Sequence, residues 1–137
     1  MKRMLLCAAA LAILAACGDT VHGIEYAEPA VEKFRQQMRA GHFDQVYENT
    51  GAEFREATSR DNGIALFAAV DRKLGKLQHA EKVTWNVNTR NLTTLVVLVY
   101  NSRYAEGEAT ETFTIKVDDG QGKIVGYNIQ SLAMMIK

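Results

Sequence analysis

Hydrophobic positions change their spacing twice along the chain. They run without interruption from Met4 to Cys17, recur every three or four residues from Val31 to Leu77, and alternate with polar residues from Val83 onward. The middle regime predicts helices. Val31, Phe34 and Met38 form one stripe. Pro29 suits a first helical turn, Glu28 and Glu32 suit its positive end, and Gly41 ends it. Phe43, Val46 and Tyr47 repeat the spacing in a short second helix closed by Thr50-Gly51, with Phe54 and Ala57 following less regularly. A third helix opens at Ser59 or Asp61, carries Phe67, Val70, Leu74 and Leu77, and is broken by Gly75.

From Lys82 the period becomes two, which predicts strands. Val83, Trp85 and Val87 alternate with Thr84, Asn86 and Asn88, and Arg90-Asn91 reads as a turn. Further strands run over Thr93–Ala105, Glu108–Asp118 and Lys123–Ser131, separated by turns at Glu106-Gly107 and Asp119–Gln121. Helices first and strands afterwards predict an α+β fold, with three N-terminal helices on one face of a four-stranded antiparallel meander. Those turns set Trp85 opposite Val96, Leu98 opposite Ile115 and Tyr127 opposite Phe113. One face then collects Val83, Trp85, Val96, Leu98, Tyr100, Phe113, Ile115, Val125, Tyr127 and Ile129. The other face receives Leu95, Val97, Val99 and Ile124 among threonines. It is expected to serve a homodimer or an envelope partner, unless the tether or the Ala133–Ile136 tail folds over it.

The uninterrupted run has a basic start, Met1-Lys2-Arg3, and a small-residue end, which is the pattern of a secretory signal. Met4–Cys17 as a helix would span about 21 Å, short of the roughly 30 Å hydrocarbon core. Its ending, Leu14-Ala15-Ala16-Cys17, resembles the lipobox of bacterial lipoproteins. That resemblance implies cleavage before Cys17, a lipid on its sulfur and a domain facing the periplasm. The chain then divides into a signal peptide (1–16), an acylated cysteine with a tether (17–28) and one domain (29–137). Gly18, and not aspartate, follows the cysteine, which points to the outer membrane more than the inner. Cys7 would leave with the signal, so the mature chain would have no thiol for catalysis, redox exchange or cysteine-based zinc binding. Of the sixteen basic and sixteen acidic residues only Lys2 and Arg3 would be removed, leaving a net charge of about −2 with no basic cluster. A nucleic-acid partner is not expected.

Arg72-Lys73-Leu74-Gly75, Glu111-Thr112-Phe113-Thr114 and Gly126-Tyr127-Asn128-Ile129, placed in this order of elements, resemble the bacterial envelope proteins of the domain of unknown function 4019. That family is similar to the nuclear-transport-factor-2-like, cystatin-like superfamily. The resemblance implies a curved sheet wrapped into a cone around a helix. It brings no activity, because the superfamily holds isomerases, dehydratases and non-enzymatic binders.

Within the implied cone, Glu111 is the one acid that the register turns inward, with Ser102 and Ile129 beside it and Tyr100, Tyr104 and Tyr127 near. A carboxylate among tyrosines suits a general acid or base. The favoured expectation is plainer: Glu111 at the rim, hydrogen-bonded or paired with a helix-end lysine. His22, His42 and His79 are too scattered for a metal, no cofactor motif occurs, and Trp85 is expected in the core. The sequence thus favours a membrane-anchored, non-catalytic binding domain. The alternatives are a small cone-pocket enzyme using Glu111 with a tyrosine, and an envelope inhibitor or immunity-type lipoprotein.

Overall fold

A computed structural model describes residues 18–137. The signal-like run, Cys7 and Cys17 lie outside the described residues. Four helices come first: α1 (Gly18–Ala40), α2 (Phe43–Glu48), α3 (Ala52–Ala57) and α4 (Arg60–Leu74). Four strands follow, β1 (Leu77–Arg90), β2 (Thr93–Tyr104), β3 (Gly107–Asp118) and β4 (Gln121–Gln130), and a short α5 (Leu132–Ile136) closes the chain. The strands pair antiparallel in chain order. The helices cover one face of an unclosed sheet, which the shifts between Lys82 and Thr84 and between Thr114 and Ile115 bend. This is the α+β architecture that the sequence pattern predicts, with four helices before the sheet where three were expected, and the curved cone that the family resemblance implies.

α1 starts eleven residues before Pro29, so the stretch expected to be a tether is helical and Pro29 sits inside the helix. Gly23 and Ala27 explain it. Both are buried, and a β-carbon on Gly23 would meet Val87 and Val96 at 3.1 and 3.4 Å, so the small residues let α1 lie close against the sheet. Farther along, Val31 and Phe34 continue the same buried face. The irregular Phe54 segment forms α3, and Gly51 donates its N–H to the Ile124 carbonyl at 2.7 Å, tying that segment to β4. Gly75, at φ +73°, ends α4. Leu77, expected on the helical stripe, therefore opens β1 opposite Tyr104.

In β2 and β3 the inward set is preserved while the partners shift. Both of the first two turns fall one residue away from the expected place, at Asn91-Leu92 and Ala105-Glu106. Trp85 thus pairs with Leu98, Leu98 with Phe113 and Tyr100 with Glu111. A shift of two residues in a pairing keeps every side chain on its face. The core joins Val31 and Phe34 of α1, Phe67 of α4, Val96 and Leu98 of β2, and Phe113 and Ile115 of β3.

Two expectations fail here. Trp85 is 53% exposed and Val83 45%, because β1 is an edge strand whose bulge at Lys82–Thr84 carries these residues past the helical cover. Trp85 instead takes the Lys82 ammonium over its ring at 5.6 Å. Ile124, expected outside, is buried opposite Ile115. The irregularity between Thr114 and Ile115 leaves Val125 as the extra residue and turns Ile124 inward. The outer apolar set is reduced to Leu95, which is exposed, and the half-buried Val97 and Val99. The C-terminal tail does not cover it. Ala133 and Met134 pack beside Val70, Leu74 and Tyr104, and Lys73 donates to the Met134 carbonyl at 2.8 Å.

Candidate functional site

β3 alternates strictly, so Ala109, Glu111, Phe113, Ile115 and Val117 all point toward the helices. Four of the five are apolar. Glu111 is the exception and is among the most deeply covered side chains, with 1% of its surface exposed. A carboxyl group in such a place requires hydrogen-bonding partners. It has them: the Ser102 hydroxyl donates to Oε1 at 2.6 Å, and the Tyr127 hydroxyl donates to Oε2 at 2.7 Å. Ser102 is itself 3% exposed. The rim position and the lysine partner expected for Glu111 are therefore wrong, because the register seats it in mid-strand under α1 and α4.

The expected tyrosines converge on this carboxyl. Tyr100 lies directly across from Glu111 in the β2–β3 pairing. Tyr104 is 8% exposed, and burial, followed by the charge of Glu111, pushes its hydroxyl well above the ordinary tyrosine range. The Tyr127 hydroxyl is raised in the same way, by burial first and then by Glu111 and Tyr104. Burial also raises Tyr100, against the lowering effect of Arg35. All three hydroxyls thus keep their protons at neutral pH, and Tyr127 donates its own to Glu111. Beneath them is an aromatic layer in which Phe34, Phe113 and Tyr127 lie 5.0 to 5.2 Å apart, centroid to centroid.

Arg35 was not singled out in the sequence, and it stands over this group. Its guanidinium sits 4.2 Å from the centre of the Tyr100 ring and 5.9 Å from that of Phe113. One clue was present: Arg35 follows Val31 by four residues, which places a cation on the flank of the α1 core stripe. A small cavity of about 20 Å3 opens between α1, the end of α4 and the start of β1, bordered by Arg35, Met38, Val70, Leu77 and Tyr104. Tyr104 lines this cavity, while Ser102, which holds Oε1, borders a wider cleft of about 570 Å3 and Tyr100 borders a third opening of about 560 Å3 beside α1.

The three histidines stay apart. His22 lies on α1 with Glu25 at 3.5 Å, His42 precedes α2, and His79 is on β1. Among the described residues no three histidine, cysteine, aspartate or glutamate side chains converge as a metal site would require.

Residues 30–127 match the family described as protein of unknown function (DUF4019). The chain belongs to the DUF4019 family. Among curated proteins none matches it. The DUF4019 fold is similar to that of a putative scytalone dehydratase from Novosphingobium aromaticivorans, with a TM-score of 0.52, 11% identity, and coverage of 82% of this chain and 85% of that one. An NTF2-like protein from Cytophaga hutchinsonii gives a TM-score of 0.47 at 11% identity, covering 86% of this chain and 100% of its own. At that identity the likeness to the first is one of fold. The DUF4019 match spans Arg35, Tyr100, Ser102, Tyr104, Glu111 and Tyr127, so the whole site lies inside the family domain. The expectation that this domain is not an enzyme is overturned by the site itself. A buried carboxyl held by two hydroxyls over an aromatic floor, with a cation beside it, is an arrangement of an active-site kind.

Proposed function

We propose that this DUF4019 domain is a small-molecule enzyme of the proton-transfer class, with Glu111 as its acid–base group. The observation that carries the reading is the coordination of Glu111, one hydroxyl donor on each oxygen at 1% exposure. A carboxyl fixed in one orientation can take a proton from a carbon or an oxygen of a bound molecule and return it. Tyr127 and Ser102 hold it in place. Tyr104, whose side chain lines the cavity and whose hydroxyl keeps its proton, is suited to donate to an oxygen that gains charge during the transfer. The aromatic floor favours an apolar or planar substrate. A membrane attachment through Cys17 accompanies this reading, and it is supported by the basic start, the apolar run and Leu-Ala-Ala-Cys.

The test is exchange of carbon-bound hydrogen for deuterium in D2O, followed by mass spectrometry over a panel of small ketones and enones. The parent chain should exchange at least one compound faster than buffer, and Glu111→Gln should lower that rate at least a hundredfold. Exchange at the buffer rate by the parent, or full activity in Glu111→Gln, would overturn the assignment.

A further inference from the structure

Arg35 has an unmet requirement. Its Nε and Nη2 atoms are both buried and neither has a hydrogen-bond partner among the described residues. These nitrogens share one edge of the guanidinium, and their N–H bonds run parallel along it. That edge is the fork that grips the two oxygens of a carboxylate. Arg35 as a whole is half-buried and stacks on Tyr100 at 4.2 Å, but a ring face satisfies neither of these two N–H groups.

No neighbouring acid meets the need. Glu111 has both oxygens engaged by Ser102 and Tyr127. Glu28 is held by Lys82, and Asp71 by Lys76 at 2.8 Å. Glu32 is also on α1, one turn before Arg35, and accepts from Gln36 at 3.4 Å. Arg35 borders two openings: an outer cleft that carries Glu25, Glu28 and Glu32, and the cavity beside Tyr104, where the other charges are Arg39, Lys76 and Asp71 and cationic charge is in excess, which places an anion on the Tyr104 side.

We infer that Arg35 is the anion-recognition residue of the Glu111 site, and that the molecule bound there is a small carboxylic acid with an apolar body. The inference rests on the reading of Glu111 as a reactive group and adds the chemical class of what it acts upon. The carboxylate lies along the Nε–Nη2 edge. The body of the molecule lies against Tyr104 and the apolar side chains of Met38, Val70 and Leu77. The cavity of about 20 Å3 has room for roughly one water molecule, so binding displaces side chains at its mouth. Met38 and Arg39, both unbranched with several rotatable bonds, are the ones placed to move.

Benzoate and its uncharged counterpart benzamide are the probes, titrated into the full chain by calorimetry. The parent should bind benzoate at least tenfold more tightly than benzamide. Arg35→Gln should remove that preference, and Arg35→Lys, which keeps the charge and loses the fork, should retain part of it. Thermal unfolding of each variant shows that it is folded, and Arg35→Lys carries the comparison should Arg35→Gln not fold. Equal affinity for the two probes in the parent, or a tenfold preference surviving in Arg35→Gln, would overturn the inference. Glu111→Gln keeps the two readings distinguishable. Benzoate preference retained in Glu111→Gln, with no deuterium exchange by the parent, rejects the acid–base role alone. Exchange by the parent without benzoate preference rejects the role of Arg35 alone.

Discussion

Tyr127 is the residue on which the site turns, because its ring belongs to the aromatic layer while its hydroxyl holds Glu111. Tyr127→Phe keeps the ring and leaves Oε2 of a buried carboxyl without its donor. The expected cost is about 1–3 kcal/mol, read as a lower denaturation midpoint at pH 7. The same substitution changes the alkaline limb. Tyr104 and Tyr127 have hydroxyls raised above the ordinary value of 10.0, so above that pH the unfolded chain loses protons that the folded chain keeps. Their contribution to stability is therefore full below pH 10 and is lost as the pH rises beyond it. Tyr127→Phe should make this fall shallower, in denaturation series at pH 9, 10 and 11. An unchanged slope would mean that Tyr127 is not the protonated donor described here. At this scale the sequence was partly legible. Glu111, Ser102 and the tyrosines follow from strand parity, which survives errors of two in pairing. Arg35 does not, since a long cation on the flank of an apolar stripe usually extends into water, and only the packed structure shows its edge covered.

Among the elements, the three hairpins differ in how well their turns suit the chain. Asp119 and Gly120 have φ of +48° and +70°, the left-handed pair that aspartate and glycine adopt readily. Asn91 and Leu92 make the same turn at +50° and +66°, and there leucine bears a conformation it disfavours while its side chain is 97% exposed. A left-handed residue with a β-carbon costs roughly 1–2 kcal/mol, partly offset by the greater freedom of glycine when unfolded. Leu92→Gly should therefore raise stability by about 0.5–1 kcal/mol, checked by chemical denaturation. A lowered midpoint would show that the leucine makes a contact the turn needs. The same hairpin shows why the first turn was misplaced by a residue: Asn91-Leu92 carries no glycine to mark it. The helical start of α1 escaped for a related reason. Its contact residues, Gly23 and Ala27, are small, and a search for large apolar side chains passes over them. The bulge at Val125 has no local signature either, so Ile124 was assigned to the wrong face.

For the molecule as a whole, the order of helices and strands was readable because each half keeps one period throughout. The membrane attachment proposed for Cys17 belongs to this scale too. No helix among the described residues is long and apolar enough to cross a bilayer. Replacing Cys17 by serine in the full chain should release the protein from the membrane fraction and abolish palmitate labelling. Retention in that fraction with undiminished labelling would overturn the attachment.

The three two-residue hairpin loops, Asn91-Leu92, Ala105-Glu106 and Asp119-Gly120, carry one more consequence. Every strand finds its neighbour next along the chain, so the sheet closes only small rings of backbone, and the entropy lost in closing a ring grows with its length. The helical cover is joined differently. α1 touches β4, and Gly51 reaches the Ile124 carbonyl, each across most of the domain. The loss of chain freedom is thus concentrated in the seam between helices and sheet. That seam is where Arg35, carried by α1, meets Tyr100 and Phe113 of the sheet.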